Sequence, residues 1–286
     1  MLWVLYSLLS AFSWATADAF TKKVSDVDDY ILVLSRFLYG VPFVLLLLFF
    51  IPIPTLSNVF WFILILDVVI EVLSWILYVK AIRAAQLSLV MPLLSLTPVF
   101  LVFTSFVILR ELPTIVGFFG ILIVVAGAYI LNLKDFRKGI LEPFRSIFRE
   151  KSCDYMIIVA FLFSITANLS KILVQQSSPL FFSAIYLPSL AIPFLVISFF
   201  VSRKNMVQLK SNFSNFFFIG SFFGLMVIFH CLAIRLMIVP YMMSIKRTSS
   251  IFGILYGWLL FKEKNIPVRL IGALIMLIGA GLIILF

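Results

Sequence analysis

Residues 78–133, YVKAIRAAQLSLVMPLLSLTPVFLVFTSFVILRELPTIVGFFGILIVVAGAYILNL, align without a gap to residues 230–285, HCLAIRLMIVPYMMSIKRTSSIFGILYGWLLFKEKNIPVRLIGALIMLIGAGLIIL. At this offset of 152, 13 of the 56 positions are identical. Ala81-Ile82-Arg83 falls on Ala233-Ile234-Arg235, Glu111 on Glu263, Gly120 on Gly272 and Gly127-Ala128 on Gly279-Ala280. Matched leucines follow from hydrophobicity alone, but matched Arg, Glu and Gly in one register do not. The chain is read as an internal duplication. Shorter matches carry the repeat toward the N-terminus: Thr16-Ala17-Asp18 returns as Thr166-Ala167-Asn168 at an offset of 150, and Gly40-Val41-Pro42-Phe43 as Ala191-Ile192-Pro193-Phe194 at 151. Single-residue loop changes produce such a drift.

The solvent of this duplicated chain follows from composition. Of 286 residues, 64% are hydrophobic and 12% charged, and the mean hydropathy is +1.21. Soluble domains hold roughly 45–50% apolar and about 25% charged residues, so a water-soluble globule is excluded. A bilayer crossing takes about 20 mostly apolar residues, which leaves room for about ten. They are expected near 2–20, 30–51, 58–79, 87–109, 113–132, 154–173, 179–201, 213–234, 240–261 and 267–286. The alternating polarity of membrane strands is absent. The expected fold is therefore an all-α integral membrane protein of ten transmembrane helices.

Each half holds five of them: a first repeat over 1–133, a basic connector over 134–153 and a second repeat over 154–286. Phe, Ile and Leu among Lys and Arg make the connector either a surface amphipathic segment or a solvated linker. Because five is odd, the second half crosses the bilayer in the opposite sense to the first. Inverted repeats place a site at their interface that opens to either side as one half rocks on the other. The net charge of +10 sits in short connectors and forms no continuous stripe, so it reads as membrane orientation, with no nucleic acid as partner. Connectors after the even helices hold only Arg110 and Arg235, which puts both termini outside. Cys153 and Cys231 have neither metal spacing nor a disulfide framework. The first helix lacks a preceding basic segment and takes part in the repeat, so it is read as retained and not as a cleaved signal.

These residues resemble the drug/metabolite transporter superfamily, specifically its ten-helix members built from two EamA-type repeats. The resemblance is carried by Ala81-Ile82-Arg83 through Pro92, Thr97-Pro98 to Arg110-Glu111-Leu112, Gly120 and Ala126-Gly127. Its counterpart runs from Lys246-Arg247-Thr248-Ser249 through Gly257-Trp258 to Phe261-Lys262-Glu263-Lys264, then Gly272 and Gly279-Ala280. It implies carrier-type transport of small metabolites and leaves the substrate open. It also implies cytoplasmic termini, opposite to the charge distribution above.

Charges inside the apolar runs nominate a site, because each costs about 2.5–3.5 kcal/mol at mid-helix and normally faces a cavity or a partner. Lys246 and Arg247 enter the ninth helix by roughly 10 Å at 1.5 Å per residue, where the first repeat has Leu94 and Ser95. The scaffold does not require cations there. One reading is that they bind an anionic group, Arg by its planar fork and Lys as a mobile point charge; snorkelling or a structural ion pair is the other. Asp67 and Glu71 share one face of the third helix. They either carry a coupling proton or form a buried ion pair with Arg36, Lys246 or Arg247. Asp18, replaced by Asn168 in the second repeat, reads as an interhelical hydrogen-bonding position or as part of the substrate site, and Arg36 as an interface anchor or a partner for Asp18. His230 reads as an interhelical donor or a proton relay. No metal site and no cofactor are expected.

Glu111 and Glu263 are read as structural, each near the N-terminus of the helix that follows it. Gly220-x-x-x-Gly224 and Gly253-x-x-x-Gly257 read as close-packing motifs. Pro92, Pro98, Pro188 and Pro193 are candidate kinks, and Trp14, Trp75, Tyr78, Tyr186, Tyr241 and Trp258 are belt or core aromatics by default. The resulting expectation is a secondary transporter in the cell membrane, with the bilayer, a small-molecule substrate and protons as partners. The substrate carries a carboxylate or phosphate, as an amino acid does. The rivals are an exporter of cationic or neutral drug-like compounds, a channel, a membrane-embedded enzyme and a non-transporting assembly protein. The enzyme reading lacks a grouped catalytic constellation, and the channel a pore loop or charge ring.

Overall fold

The computed structural model describes residues 1–24, 26–84, 87–132, 150–262 and 266–285. Glu263, and the connector apart from residues 150–153, lie outside them. Among the described residues every regular element is helical: α1 Leu2–Lys22, α2 Asp29–Leu38, α3 Val41–Leu45, α4 Asn58–Ala84, α5 Leu87–Leu94, α6 Thr97–Leu109, α7 Ile115–Asn132, α8 Lys151–Gln176, α9 Pro179–Val201, α10 Val207–Ser211, α11 Phe213–Leu236, α12 Val239–Lys246, α13 Ser249–Phe261 and α14 Ile266–Leu285. Among the described residues six stretches are long and apolar enough to cross a membrane: Asp29–Phe49, Asn58–Ile82, Val90–Leu109, Lys151–Gln176, Pro179–Val201 and Phe213–Leu236. Two shorter apolar helices, Ile115–Leu131 and Leu270–Leu285, accompany them.

Three of the expected helices are broken, and the backbone chemistry says why. The second divides at Tyr39-Gly40 into α2 and α3, because Pro42 has no N–H to bond the Leu38 carbonyl. The fourth divides at Ser95-Leu96, where Pro98 leaves the Leu94 carbonyl without its helical donor; the Thr97 hydroxyl takes that carbonyl at 2.7 Å. The ninth divides at Arg247-Thr248 with no proline in reach. There the turn tightens to i→i+3 bonds, Thr248 N–H to Ile245 O at 3.0 Å, and the Thr248 hydroxyl bonds the same carbonyl at 2.7 Å. Ser and Thr hydroxyls that bond back to the preceding turn bend helices in this way. The breaks at 95–96 and 247–248 are separated by the repeat offset of 152. The same spacing relates Arg110 (φ 59°) and Lys262 (φ 51°), left-handed residues that end α6 and α13.

The chain folds into two compact units, Met1–Val72 with Leu169–Leu236 and Leu73–Asn168 with Met237–Phe286. Each therefore contains parts of both sequence repeats. In the first unit α1 runs antiparallel to α11: Tyr6 faces Phe229, the Ser10 hydroxyl donates to Met226 O at 3.1 Å, Trp14 faces Phe223 and Phe20 stacks on Phe218. The face that α1 buries is small, with Ser10, Ala11, Ala15 and Ala17, which lets the helices approach closely. α2 packs antiparallel on its repeat counterpart α9, with the Phe37 and Phe194 rings 5.4 Å apart. Asp28 caps α2 by accepting from the Tyr30 and Ile31 N–H groups, and it gathers Ser202 and Asn205 onto the same carboxylate.

In the second unit the C-terminal half of α4 packs on the start of α8 through Trp75 and Phe163 and through a core of Ala81, Val90, Leu93, Cys153, Met156 and Val159. α7 and its repeat counterpart α14 cross at glycines. A Cβ on Gly127 would lie 2.6 Å from Gly272 O, and one on Gly279 would lie 2.7 Å from Gly120 O. Contacts 120–279 and 127–272 are exchanged by the repeat operation, so the pairing is antiparallel and symmetric. α7 and α12 cap each other: Glu111 accepts from the Val239 N–H at 3.1 Å, and Thr114 N–H donates to the Tyr241 hydroxyl at 2.9 Å. Gly117 leaves room for the Tyr241 ring. The carboxylate of Glu111 thus serves the N-terminus of α12, a helix far from it in sequence. Among the described residues nothing lies within 4 Å of a Cβ added at Gly253, so the expected close packing is not seen there, whereas Gly220 packs directly on Tyr39 and Gly40.

Candidate functional site

In the first unit the inward face of α4 is set by helical spacing. Phe60, Leu64, Asp67 and Glu71 are buried, while Phe62, Ile65, Leu66 and Val69 between them are exposed. Carboxylates are not placed on a lipid face, so an apolar helix with two of them turns both inward. Opposite stands α9, where Phe181 meets Phe60 and the Tyr186 hydroxyl donates to Glu71 Oε1 at 3.0 Å. Asp67 is 0% exposed, and among the described residues neither of its oxygens has a hydrogen-bond partner. Cys231 of α11 is within electrostatic range of the Tyr186 hydroxyl.

In the second unit Arg247 occupies the break between α12 and α13, one residue after Lys246. Both are partly buried. The Arg247 Nε is shut off from solvent and has no hydrogen-bond partner among the described residues; the Tyr78 hydroxyl is its electrostatic neighbour. A guanidinium at an interrupted helix, with donor capacity to spare, can take a carboxylate or phosphate bidentately. The α13 N-terminus that begins two residues later adds to the positive field. The equivalent break in the first repeat carries Ser95 and a buried Thr97.

Asp18, Arg36 and Asn168 have these protein partners. Arg36 donates to Asp18 at 2.7 Å and to the Thr21 hydroxyl at 3.1 Å, which clasps α1 to α2. Asn168 accepts from the Ser105 hydroxyl at 2.6 Å and donates to Thr104 Oγ1 and Ser164 O, all within the second unit. His230 is partly buried in α11. Among the described residues no group of three or more metal-ligating side chains occurs. Lys171, buried at 4%, escaped the sequence reading. It aligns with Thr21 at the offset of 150, so the test that singled out Lys246, a charge that the repeat does not require, would have found it.

The family model described as the EamA-like transporter family matches the chain twice, over residues 1–133 and 152–285. A protein of known crystal structure is similar over 98% of this chain and 96% of its own, with a TM-score of 0.79 and 13% sequence identity. At that identity the likeness shows the fold alone. Among curated proteins none matches.

Proposed function

The chain belongs to the EamA-like transporter family, and from that premise we propose a secondary carrier that moves a small metabolite bearing a carboxylate or phosphate by alternating access. It is a multi-pass integral membrane protein of the drug/metabolite transporter type, and its exposed apolar faces, such as Phe62 and Phe103 at 69% and 65%, meet lipid. The reading of ten spans in two inverted halves is supported by α7 and α14. Repeat-related helices that cross antiparallel at exchanged glycines are what a twofold axis in the membrane plane produces.

One observation carries the substrate reading: helices broken at repeat-equivalent residues, with Arg247 seated at one of the breaks. Interrupted helices at corresponding positions of two halves are where carriers of this kind bind cargo. Lys246 and Arg247 supply the anion site. Asp18 and Asn168 are proposed as further substrate-binding positions, each within its own unit and beside the hydrogen bonds it already makes. Asp67 and Glu71 supply a proton for coupling. A second reading, export of a cationic compound, is favoured by those two carboxyl groups.

The test is a thermal-shift screen of purified protein in detergent against amino acids, organic acids, sugar phosphates and cationic drugs, beside Lys246→Ala and Arg247→Ala. A ligand of the folded state at 100 times its dissociation constant adds about 2.7 kcal/mol. Stabilisation by an anionic metabolite, lost in the Arg247→Ala variant, supports the reading. Stabilisation by cations alone, unchanged in both variants, sinks it.

A further inference from the structure

Two carboxyl groups one helical turn apart in an apolar layer do not share the same fate. Their Cβ atoms lie about 5–6 Å from each other at this spacing, and like charges so placed in a low dielectric do not both ionise. Which of the two gives way is decided by hydrogen bonding, since a donor to a carboxylate stabilises its charged form. Glu71 has such a donor in the Tyr186 hydroxyl at 3.0 Å. Asp67 has none among the described residues, and it is fully buried. It lies nine residues from Asn58, the start of its span, about 14 Å in at 1.5 Å per residue, near mid-membrane.

We propose that Asp67 is the proton-binding carboxyl of this chain, and that Tyr186 is a positioning residue that holds Glu71 ionised beside it. The step is the making and breaking of one O–H bond: Asp67 takes a proton from the aqueous side that its carboxyl meets and releases it to the other as the carboxylate. Tyr186 keeps its own proton throughout and spends it only in the hydrogen bond to Glu71. Among the described residues the titratable groups around this centre within its unit include Glu71 on the same helix, Tyr186 on α9 and Cys231 on α11. Lys171 on α8 is a buried cation of the same unit. The assignment deepens the proton-coupling reading and rests on it only for the link to transport.

The experiment needs no substrate. Wild-type protein in lipid nanodiscs at neutral pH is treated with dicyclohexylcarbodiimide, an apolar reagent that adds to un-ionised carboxyl groups, and the adduct is located by fragment mass spectrometry. The label is expected at Asp67 in at least about tenfold excess over Glu71, each 1.4 kcal/mol of preference for one site being a factor of ten. In parallel, infrared difference spectra are recorded for Asp67→Asn, Glu71→Gln and Tyr186→Phe. The band of un-ionised carboxyl is expected to vanish in the first and stay in the second. In the third a further carboxyl band is expected, and carbodiimide label rises at Glu71, an effect that a merely structural tyrosine would not have. Label centred on Glu71, no label at either residue, or a band that survives Asp67→Asn overturns the assignment; the labelling arm holds even if a variant fails to fold. Asp67 labelling together with uptake indifferent to a pH gradient supports the assignment and counts against coupling.

Discussion

Replacing Gly127 by alanine puts a methyl group where the backbone of α14 already is. The new Cβ would lie 2.6 Å from Gly272 O, from Met276 N and from Met276 Cγ, whereas ordinary contact begins at 3.4 Å. Two of the three obstacles are backbone, so the helices must separate by about 0.8 Å at the crossing, the difference of those two distances. A gap of 0.5–1 Å forfeits a quarter to a half of each dispersion contact across it, and overpacking of this kind costs about 1–3 kcal/mol. Better helix propensity returns about 1 kcal/mol, for a net loss of up to about 2. Gly281, on the same helix as Met276, has nothing within 4 Å of its added Cβ, and Gly281→Ala should gain about 1 kcal/mol. The two variants should therefore differ by about 1–3 kcal/mol in unfolding from mixed detergent micelles followed by circular dichroism. Gly120→Ala, obstructed at 2.8 Å by a side-chain atom of Ile283 and at 3.0 Å by Gly279 O, should fall between them. Equal stabilities, or Gly281→Ala the weaker, would refute the claim that α7 and α14 meet backbone to backbone.

Arg110 pays for its left-handed conformation, so Arg110→Gly should exceed Arg110→Ala in stability by about 1 kcal/mol, read in the same unfolding assay. Glu111→Ala removes the carboxylate at the start of α12 and should cost about 1 kcal/mol, with faster hydrogen exchange at the Val239 amide. Asp28 titrates below the ordinary carboxylate value: burial pushes it up, but hydrogen bonds from Ser202, the Tyr30 N–H, Asn205 and the Ile31 N–H outweigh that. Its folded form therefore contributes stability fully above the unfolded value of 3.8 and loses it as the pH falls through the lower folded value. Wild type should lose thermal stability in that acid window, and Asp28→Asn should flatten the loss; an unaltered pH profile would remove Asp28 from the account.

The repeat was legible because Arg, Glu and Gly recur where composition does not demand them, and the apolar runs located most of the helices. The break at Ser95-Leu96 was legible too, since Pro92 and Pro98 announce it. The matching break at Arg247-Thr248 was not. The Thr248 hydroxyl contributes to it, and Thr248 looks no different in sequence from threonines that leave a helix straight. Glu111 illustrates a second limit: its attraction to a helix N-terminus could be anticipated, but the N-terminus it serves is 128 residues away and is fixed by packing. The inward turn of Asp67 and Glu71 followed from charge in an apolar helix, whereas the inequality between them depends on Tyr186, contributed by the other repeat.

Uptake by the purified protein in liposomes tests the central claim most directly, using an anionic compound that stabilises it and comparing wild type with Arg247→Ala and Asp67→Asn. The account predicts saturable uptake that is abolished in the first variant, and in the second transport that persists down a concentration gradient but no longer follows an imposed pH gradient. Uptake that does not saturate, or that survives Arg247→Ala unchanged, would contradict it.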